Sequence, residues 1–272
     1  MKMKNLDNNP VSPEQQEYVK KIKQNHILIR IYQIMFFVCY LILWEYSAKH
    51  GIINDFIFCY PSKLFATMID MLKDGSLLHH IGITLYETLI GFVIVIAGSL
   101  IIATLFWWNK TLSRVLEPYL VILNALPKSA LAPVLIVWLG ANKTTIIVCA
   151  CSVAIFGSIL NIYTGFINVD ADKIKLIETL KGSRFQCLKL VVLPSNIPNI
   201  TSIMKVNIGL CLVGVIIGEF LAAREGLGYL IIYGSQTFKM SNVLLSILIL
   251  CVIAMLLYML LQHAEKKLSE YF

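Results

Sequence analysis

The sequence predicts an all-α membrane protein, a polytopic bundle of about six transmembrane helices forming one membrane domain. Three observations carry this. Of 272 residues, 58% are hydrophobic and only 14% are charged, whereas a soluble domain usually carries about 25% charged residues. The charges are clustered, leaving long apolar runs of the roughly 18 or more residues that read as bilayer-spanning helices. Lys and Arg concentrate in alternate connections, the pattern produced when basic loops stay in the cytoplasm. That asymmetry also accounts for the net charge of +7, so no nucleic-acid partner is expected.

Residues 1–26 read as a polar cytoplasmic N-terminal segment and 27–272 as the transmembrane domain. The first apolar run, Ile27–Ala48, lacks a small-residue cleavage site and exceeds a signal-peptide core, so it is read as a retained span. Further spans are predicted at Ile83–Trp107, Pro118–Leu139, Thr144–Phe166, Ile203–Ala222 and Val243–Gln262. Pro127, Lys128 and Pro133 interrupt the third, predicting either a broken span or a re-entrant hairpin, both tolerated only inside protein or a cavity. With the N-terminus inside, the inner segments hold fifteen Lys and Arg and the outer segments six. Both termini are therefore expected in the cytoplasm. The outer segment His50–Gly82 contains Pro61 and Ser62, either of which starts a short interfacial helix. The inner segment Ile167–Pro198 predicts one or two short helices, broken at Gly182 and limited by Pro194 and Pro198.

Of the seven cysteines, Cys39, Cys149, Cys151, Cys211 and Cys251 fall in apolar runs, where thiols behave as small hydrophobes. Neither a disulfide framework nor a metal site follows from their spacing. His79 and His80 are adjacent without Glu or Cys at ligand spacing and read as solvated. Glu87, near the outer end of span two, reads as a packing or ion-pair residue. Glu219 lies near the outer end of span five. An ionisable group facing lipid costs roughly 2.5–3.5 kcal/mol, so it is placed either on a water-filled pathway or gate, or in a structural pair with Arg224. Gly214 and Gly218 on the same span allow another helix to approach. Asn124 and Lys128 flank the break in span three. Lys128 either attracts anions to a cavity or snorkels into a bland pairing. Ser183–Leu193 mixes Phe185, Leu188, Leu190 and Val192 with Arg184, Gln186 and Lys189. That pattern suits a short amphipathic helix in a partner's groove or on the lipid surface. A phosphate-cradling Gly-x-x-x-x-Gly-Lys-Ser/Thr loop is absent, since the chain contains no Gly-Lys pair. ATP hydrolysis by such a loop is excluded for this polypeptide. Gly226-Leu-Gly228 follows a span rather than a strand and does not read as a dinucleotide fingerprint.

Four stretches together resemble a known family. Gly182-Ser183-Arg184-Phe185-Gln186 followed by Val191-Val192-Leu193-Pro194 resembles the second half of the "EAA" loop of ABC-importer permeases. The first half departs from it: the signature Glu-Ala-Ala falls on Lys175-Leu176-Ile177 and the usual Gly on Lys181. Asn124–Gly140, Gly218–Ile231 and Thr84–Phe92 resemble the nitrate/sulfonate/taurine branch. The resemblance implies a MetI-like permease fold with a cytoplasmic coupling helix in residues 167–198. It also implies alternating access driven by a cytoplasmic ABC ATPase dimer, a solute-binding protein, and a second permease copy, usually a homodimer, in the bilayer. On this resemblance Glu178, Gly182, Ser183, Arg184, Phe185, Gln186 and Pro194 couple to the ATPase, while Asn124, Lys128 and Glu219 belong to the translocation pathway. No catalytic residue, metal or cofactor is implied. An ion-coupled secondary transporter is the alternative, disfavoured because only Glu87 and Glu219 are candidates for an ion-coupling site in the bundle.

Overall fold

The computed structural model describes residues 13–50 and 59–269 and, among these, contains helices and no strands. It divides into two compact units, Met1–Lys63 and Leu64–Phe272. In the first, helix α1 (Pro13–Lys49) contains an apolar stretch, Ile27–Lys49, long enough to cross a membrane. Its described side chains are largely exposed, with Phe36 at 78%. Near its end Glu45 pairs with Lys49 at 2.8 Å and accepts bonds from the Ser62 amide, at 3.1 Å, and hydroxyl. Ser62 belongs to the first turn of α2 (Pro61–Lys73), so the helix predicted to start at Pro61 or Ser62 starts at Pro61.

In the second unit the order is α3 (Ser76–Trp108), α4 (Lys110–Ala125), α5 (Lys128–Leu139), α6 (Lys143–Ile167) and α7 (Ala171–Thr179). Then come α8 (Arg184–Cys187), a π-helical turn (Leu188–Val192), α9 (Leu193–Ala222), α10 (Leu227–Gln236) and α11 (Met240–Ser269). Side-chain acceptors mark several starts: Asn109 caps α4, Asn142 caps α6 and Asp170 caps α7. Each satisfies amides that the helix cannot bond internally. Helices α3, α6 and α9 pack against one another and carry the core. One cluster joins Val95, Ala150, Cys211, Val215 and Leu227, and a second joins Phe106, Ile159, Ile162, Phe166 and Val192. Asn207 of α9 donates to Ser158 of α6 at 2.8 Å, satisfying one buried polar pair between them. Lys205 of α9 meets Glu265 of α11 at 2.7 Å.

Helix α3 begins at Ser76, seven residues before the expected span, so His79 and His80 occupy its first turns rather than a loop. The expected third span is two helices bent by 97° at Leu126 and Pro127. Pro127 forces the preceding residue out of helical geometry, and Leu126 sits at φ −62, ψ 140. The pair is a broken span rather than a re-entrant hairpin. Tyr163, near the end of α6, donates to Ser113 in α4 at 2.9 Å, while Thr145, at the start of α6, donates to the Gly140 carbonyl after α5 at 2.5 Å. The pair therefore runs from one end of α6 to the other. The 25 residues of α6 rise about 37 Å, enough for a hydrocarbon core of about 30 Å.

Pro194 and Pro198 do not end the inner segment. The chain from Arg184 to Ala222 is one continuous 39-residue helix, and the separate short helix is α7. Pro194 has no amide and crowds the carbonyl four residues back. The π turn just before it relieves that conflict, with the Leu193 amide bonding the Leu188 carbonyl. The expected free amphipathic helix Ser183–Leu193 is thus the first turns of a membrane span.

The end of α7 is closed by a tight turn at Lys181. The Gly182 amide bonds the Ile177 carbonyl at 2.8 Å and the Lys181 amide bonds Glu178 at 2.9 Å. This arrangement places Lys181 at φ 57, in the left-handed region. A residue with a Cβ is strained there. Lys181→Gly is expected to stabilise the α7 end by about 0.5–1 kcal/mol; a thermal midpoint that does not rise would count against this turn.

Candidate functional site

Two constellations lie at opposite ends of the second unit. At the α7 end, Ser183 and Gln186 form a reciprocal capping box: the Gln186 amide donates to Ser183 Oγ at 3.3 Å, and the Ser183 amide donates to Gln186 Oε1 at 2.6 Å. Two orphan amides at the start of the long helix are thereby satisfied. Arg184 Nη1 donates to the Trp108 carbonyl at 3.1 Å, closing the C-terminal end of α3. Glu178 and Arg184 line one cavity of about 360 Å³. Phe185 points outward at 59% exposure, beside Leu176 at 61% and Leu180 at 71%. Gly182 follows Lys181 in the turn described above and donates its amide to the Ile177 carbonyl, and Pro194 is carried inside the helix.

In the broken span, Lys128 Nζ donates to the carbonyls of Leu123, at 3.2 Å, and Asn124. These are carbonyls that α4 leaves unsatisfied at its C-terminal end, where a cation also suits the helix dipole. Asn124 lies against Gly157 of α6: a methyl group built on that glycine would sit 3.3 Å from Asn124 Oδ1. Asn124 and Lys128 are therefore together, at mid-depth along α6.

Glu219 lies at the end opposite α7 and is 1% exposed. Its Oε1 accepts from Thr84 Oγ1 at 2.7 Å and its Oε2 accepts from the Gly228 amide at 2.5 Å. Thr84 Oγ1 accepts from the Leu227 amide at 2.9 Å, and His80 Nδ1 accepts from the Gly226 amide at 2.9 Å. Three successive amides at the start of α10 are thus taken by side chains of α3 and α9. A carboxylate there is also favoured by the dipole of α10. Gly226 has φ 107, and a methyl group at Gly226 or Gly228 would collide with the Glu219 side chain. This close approach is the physical content of the Gly226-Leu-Gly228 run.

Several sequence expectations change here. Glu219 pairs with Thr84 and a helix start, not with Arg224. His80 is a half-buried acceptor; only His79 is exposed, 3.5 Å from Glu225. Glu87 is fully buried and its carboxyl faces that of Glu219, to which a hydrogen bond forms when one of the two carries a proton; among the described residues no other group bonds it. No ion pair partners it among the described residues. Helix α10 escaped the sequence reading, although Gly226 followed by an apolar run gave its signal. Among the described residues no cluster suits a metal ion.

Long apolar helices, a broken span and a helical connector at one end define a polytopic α-helical membrane protein. Residues 94–270 match the family described as "Binding-protein-dependent transport system inner membrane component". An ABC transporter permease protein of Haemophilus influenzae is 30% identical over 80% of this chain and 88% of its own length. A Bacillus subtilis permease named for aliphatic sulfonates is 25% identical over 84% and 83%. The taurine transport system permease of Escherichia coli is 23% identical over 85% and 86%. Among solved structures, the inward-facing MetNI methionine ABC transporter superposes with a TM-score of 0.64 at 16% identity. It covers 71% of this chain and 95% of that one, and shows the fold.

The chain belongs to the family of binding-protein-dependent transport system inner membrane components. It is a multi-pass inner-membrane permease subunit of an ABC importer, working with an ATPase and a solute-binding protein. It is not an enzyme; ATP hydrolysis belongs to the separate subunit.

Proposed function

We propose that two copies of this chain enclose the translocation pathway for a small anionic or sulfonate-like solute, with both termini and α7 in the cytoplasm. The observation that carries the coupling part is the connector itself. Helix α7 is a discrete helix that buries no residue of its own, and it presents Leu176 and Leu180 outward with Phe185 nearby. An exposed apolar face on a capped, rigid element is what a partner's groove requires. In this reading Glu178, Gly182, Ser183, Gln186 and Pro194 shape the connector, while Arg184 ties it to α3 and Phe185 enters the ATPase. ATP-driven movement of the ATPases then reaches α3 and α9 through the Arg184–Trp108 bond and the unbroken helix from Arg184 to Ala222.

Asn124 and Lys128 are assigned to the pathway because the break exposes them at mid-depth, with a cation available to an anionic solute. The outer faces of α4 and α5 carry exposed apolar residues, including Val137 at 83% and Trp138 at 76%, which suits contact with a second copy. Glu219 holds the start of α10 and thereby the outer gate. The solute class is supported by the relatives named for sulfonates and taurine. The basic asymmetry of the loops supports the orientation.

The test is co-purification of the ATPase with the permease from native membranes, followed by ATP-dependent uptake in liposomes. Phe185→Asp combined with Leu180→Asp is expected to reduce ATPase recovery about 10-fold or more. Both side chains are exposed, so the thermal midpoint of the isolated subunit should stay where it was. Full ATPase recovery with the double variant would sink this docking surface.

A further inference from the structure

Helix α7 turns two different faces to its surroundings. Leu176 and Leu180 point outward, whereas Ile174 and Glu178, four residues apart and therefore on one side of the helix, line the cavity of about 360 Å³. The opposite walls come from the ends of α3, α4 and α6, with Trp107, Lys110, Arg114 and Tyr163, and from the start of α8, with Arg184. The volume lies in the usual range for a bound small molecule, about 300–1,000 Å³.

The charges in this cavity do not balance. Three cations, Lys110, Arg114 and Arg184, face one carboxylate, Glu178. Arg184 is held by the Trp108 carbonyl, which carries no charge to offset it. Among the described residues neither Lys110 nor Arg114 has an ion-pair partner. Tyr163 and Ser113 are already satisfied by each other. The unfilled requirement is therefore for an anion with several acceptor oxygens, which Arg and Lys bind through charge-assisted bonds. The connector adds a mechanical requirement. It buries nothing of its own, yet transmitting force requires it to be seated on α3 and α6.

We propose that this cavity is a phosphate site filled by the headgroup of an anionic phospholipid from the leaflet on the α7 side. The lipid source follows from position. The cavity sits where three membrane helices end, and its lining includes the partly exposed Trp107, a residue type that concentrates at the membrane–water boundary. Basic pockets between membrane helices on the cytoplasmic side take acidic headgroups. The headgroup neutralises the three cations and fills the space beneath α7, bracing the connector from the side that the ATPase does not use. The proposed orientation enters only in naming this leaflet cytoplasmic.

The test uses the purified full chain in detergent, with thermal unfolding followed in phosphatidylglycerol, phosphatidylcholine or inorganic phosphate. Phosphatidylglycerol is expected to raise the midpoint by several degrees, while phosphatidylcholine leaves it unchanged. Lys110→Glu with Arg114→Glu should weaken that response about 10-fold or more, and Lys110→Arg with Arg114→Lys should retain it. Inorganic phosphate protecting as well as phosphatidylglycerol at equal concentration would overturn the lipid source. Protection that survives charge reversal, or that ignores headgroup charge, would overturn the site. So would a charge-reversed variant that loses the ATPase when the wild type shows no lipid response, since the cations would then serve the partner protein. Should the reversed variant not fold, native mass spectrometry of the wild type decides. Retained phosphatidylglycerol against competing phosphatidylcholine supports the site, and equal retention overturns it.

Discussion

Glu219→Leu is expected to lower the stability of the subunit by about 3 kcal/mol or more and to abolish transport. The carboxylate accepts from Thr84 and from the Gly228 amide in a fully buried setting. Leucine leaves both donors without a partner, at about 1–3 kcal/mol each, and its branched end also meets the space reserved by Gly226 and Gly228. Glu219→Gln should cost less. It retains one acceptor for Thr84 and no longer sets two acidic side chains face to face with Glu87, but its amide group meets the Gly228 amide donor to donor. Thr84→Val should cost about 1–2 kcal/mol, because it unhooks Leu227 as well. The double variant Thr84→Val with Glu219→Leu should lose less than the two separate losses combined, since both act on one network. Cys149, Cys187 and Cys211 are buried while Cys39 and Cys251 are exposed, so dye labelling during heating, after the exposed thiols are blocked, reads out unfolding. A midpoint for Glu219→Leu equal to wild type would show that the α10 start does not depend on this carboxylate.

The second large effect belongs to Gly214→Leu. A methyl group built on Gly214 would stand 2.6 Å from the Ala150 Cα and 3.1 Å from the Cys149 carbonyl oxygen. Those are backbone atoms of α6, which cannot rotate away as a side-chain tip can. Relief requires α9 to part from α6, dismantling the core around Val95, Ala150, Cys211 and Val215. Overpacking of a tight core costs about 1–3 kcal/mol even for small additions, and here an entire leucine must enter, so loss of folded protein is expected. Gly209 is the internal control. It lies on the same helix, and a methyl group there meets nothing within 4 Å. Gly209→Leu should therefore express and fold normally, apart from effects on any second copy that covers that face. If both variants behaved alike, the close approach of α6 and α9 would not be the feature that sets the bundle.

The membrane class, the approximate spans and the family were legible in the sequence because they rest on one-dimensional quantities. Apolar run length decides whether a helix can cross a bilayer, and Gly182–Gln186 with Val191–Pro194 is a contiguous string. The residues of the α7 end were likewise found in sequence, since their grouping is local. Their division of labour was not. Ser183 and Gln186 spend their side chains on a capping box, and Lys181 occupies the left-handed turn position. Among the large apolar residues of that end, Leu176, Leu180 and Phe185 are the ones that face outward.

Other features depended on groups brought together from distant positions. The nearest cation that the sequence offers Glu219 is Arg224, five residues away, but its oxygens are satisfied by Thr84, far earlier in the chain, and by the start of α10. His80 looked solvated because nothing near it in sequence asks for an acceptor; the Gly226 amide does so across the bundle. Whether Pro118–Leu139 crosses or turns back was also undecided by proline alone, since a proline breaks the hydrogen-bond ladder without fixing where the chain goes next. Contacts of Ser113 and Gly140 with opposite ends of α6 decided it. Pro194 and Pro198 looked like helix terminators, but a π turn accommodates the first, and the packing of α9 on α6 keeps the helix continuous through both. The sequence by itself thus determined what solvent each segment requires. Tertiary structure decided which buried polar groups satisfy one another, because that depends on which helices meet and at what depth.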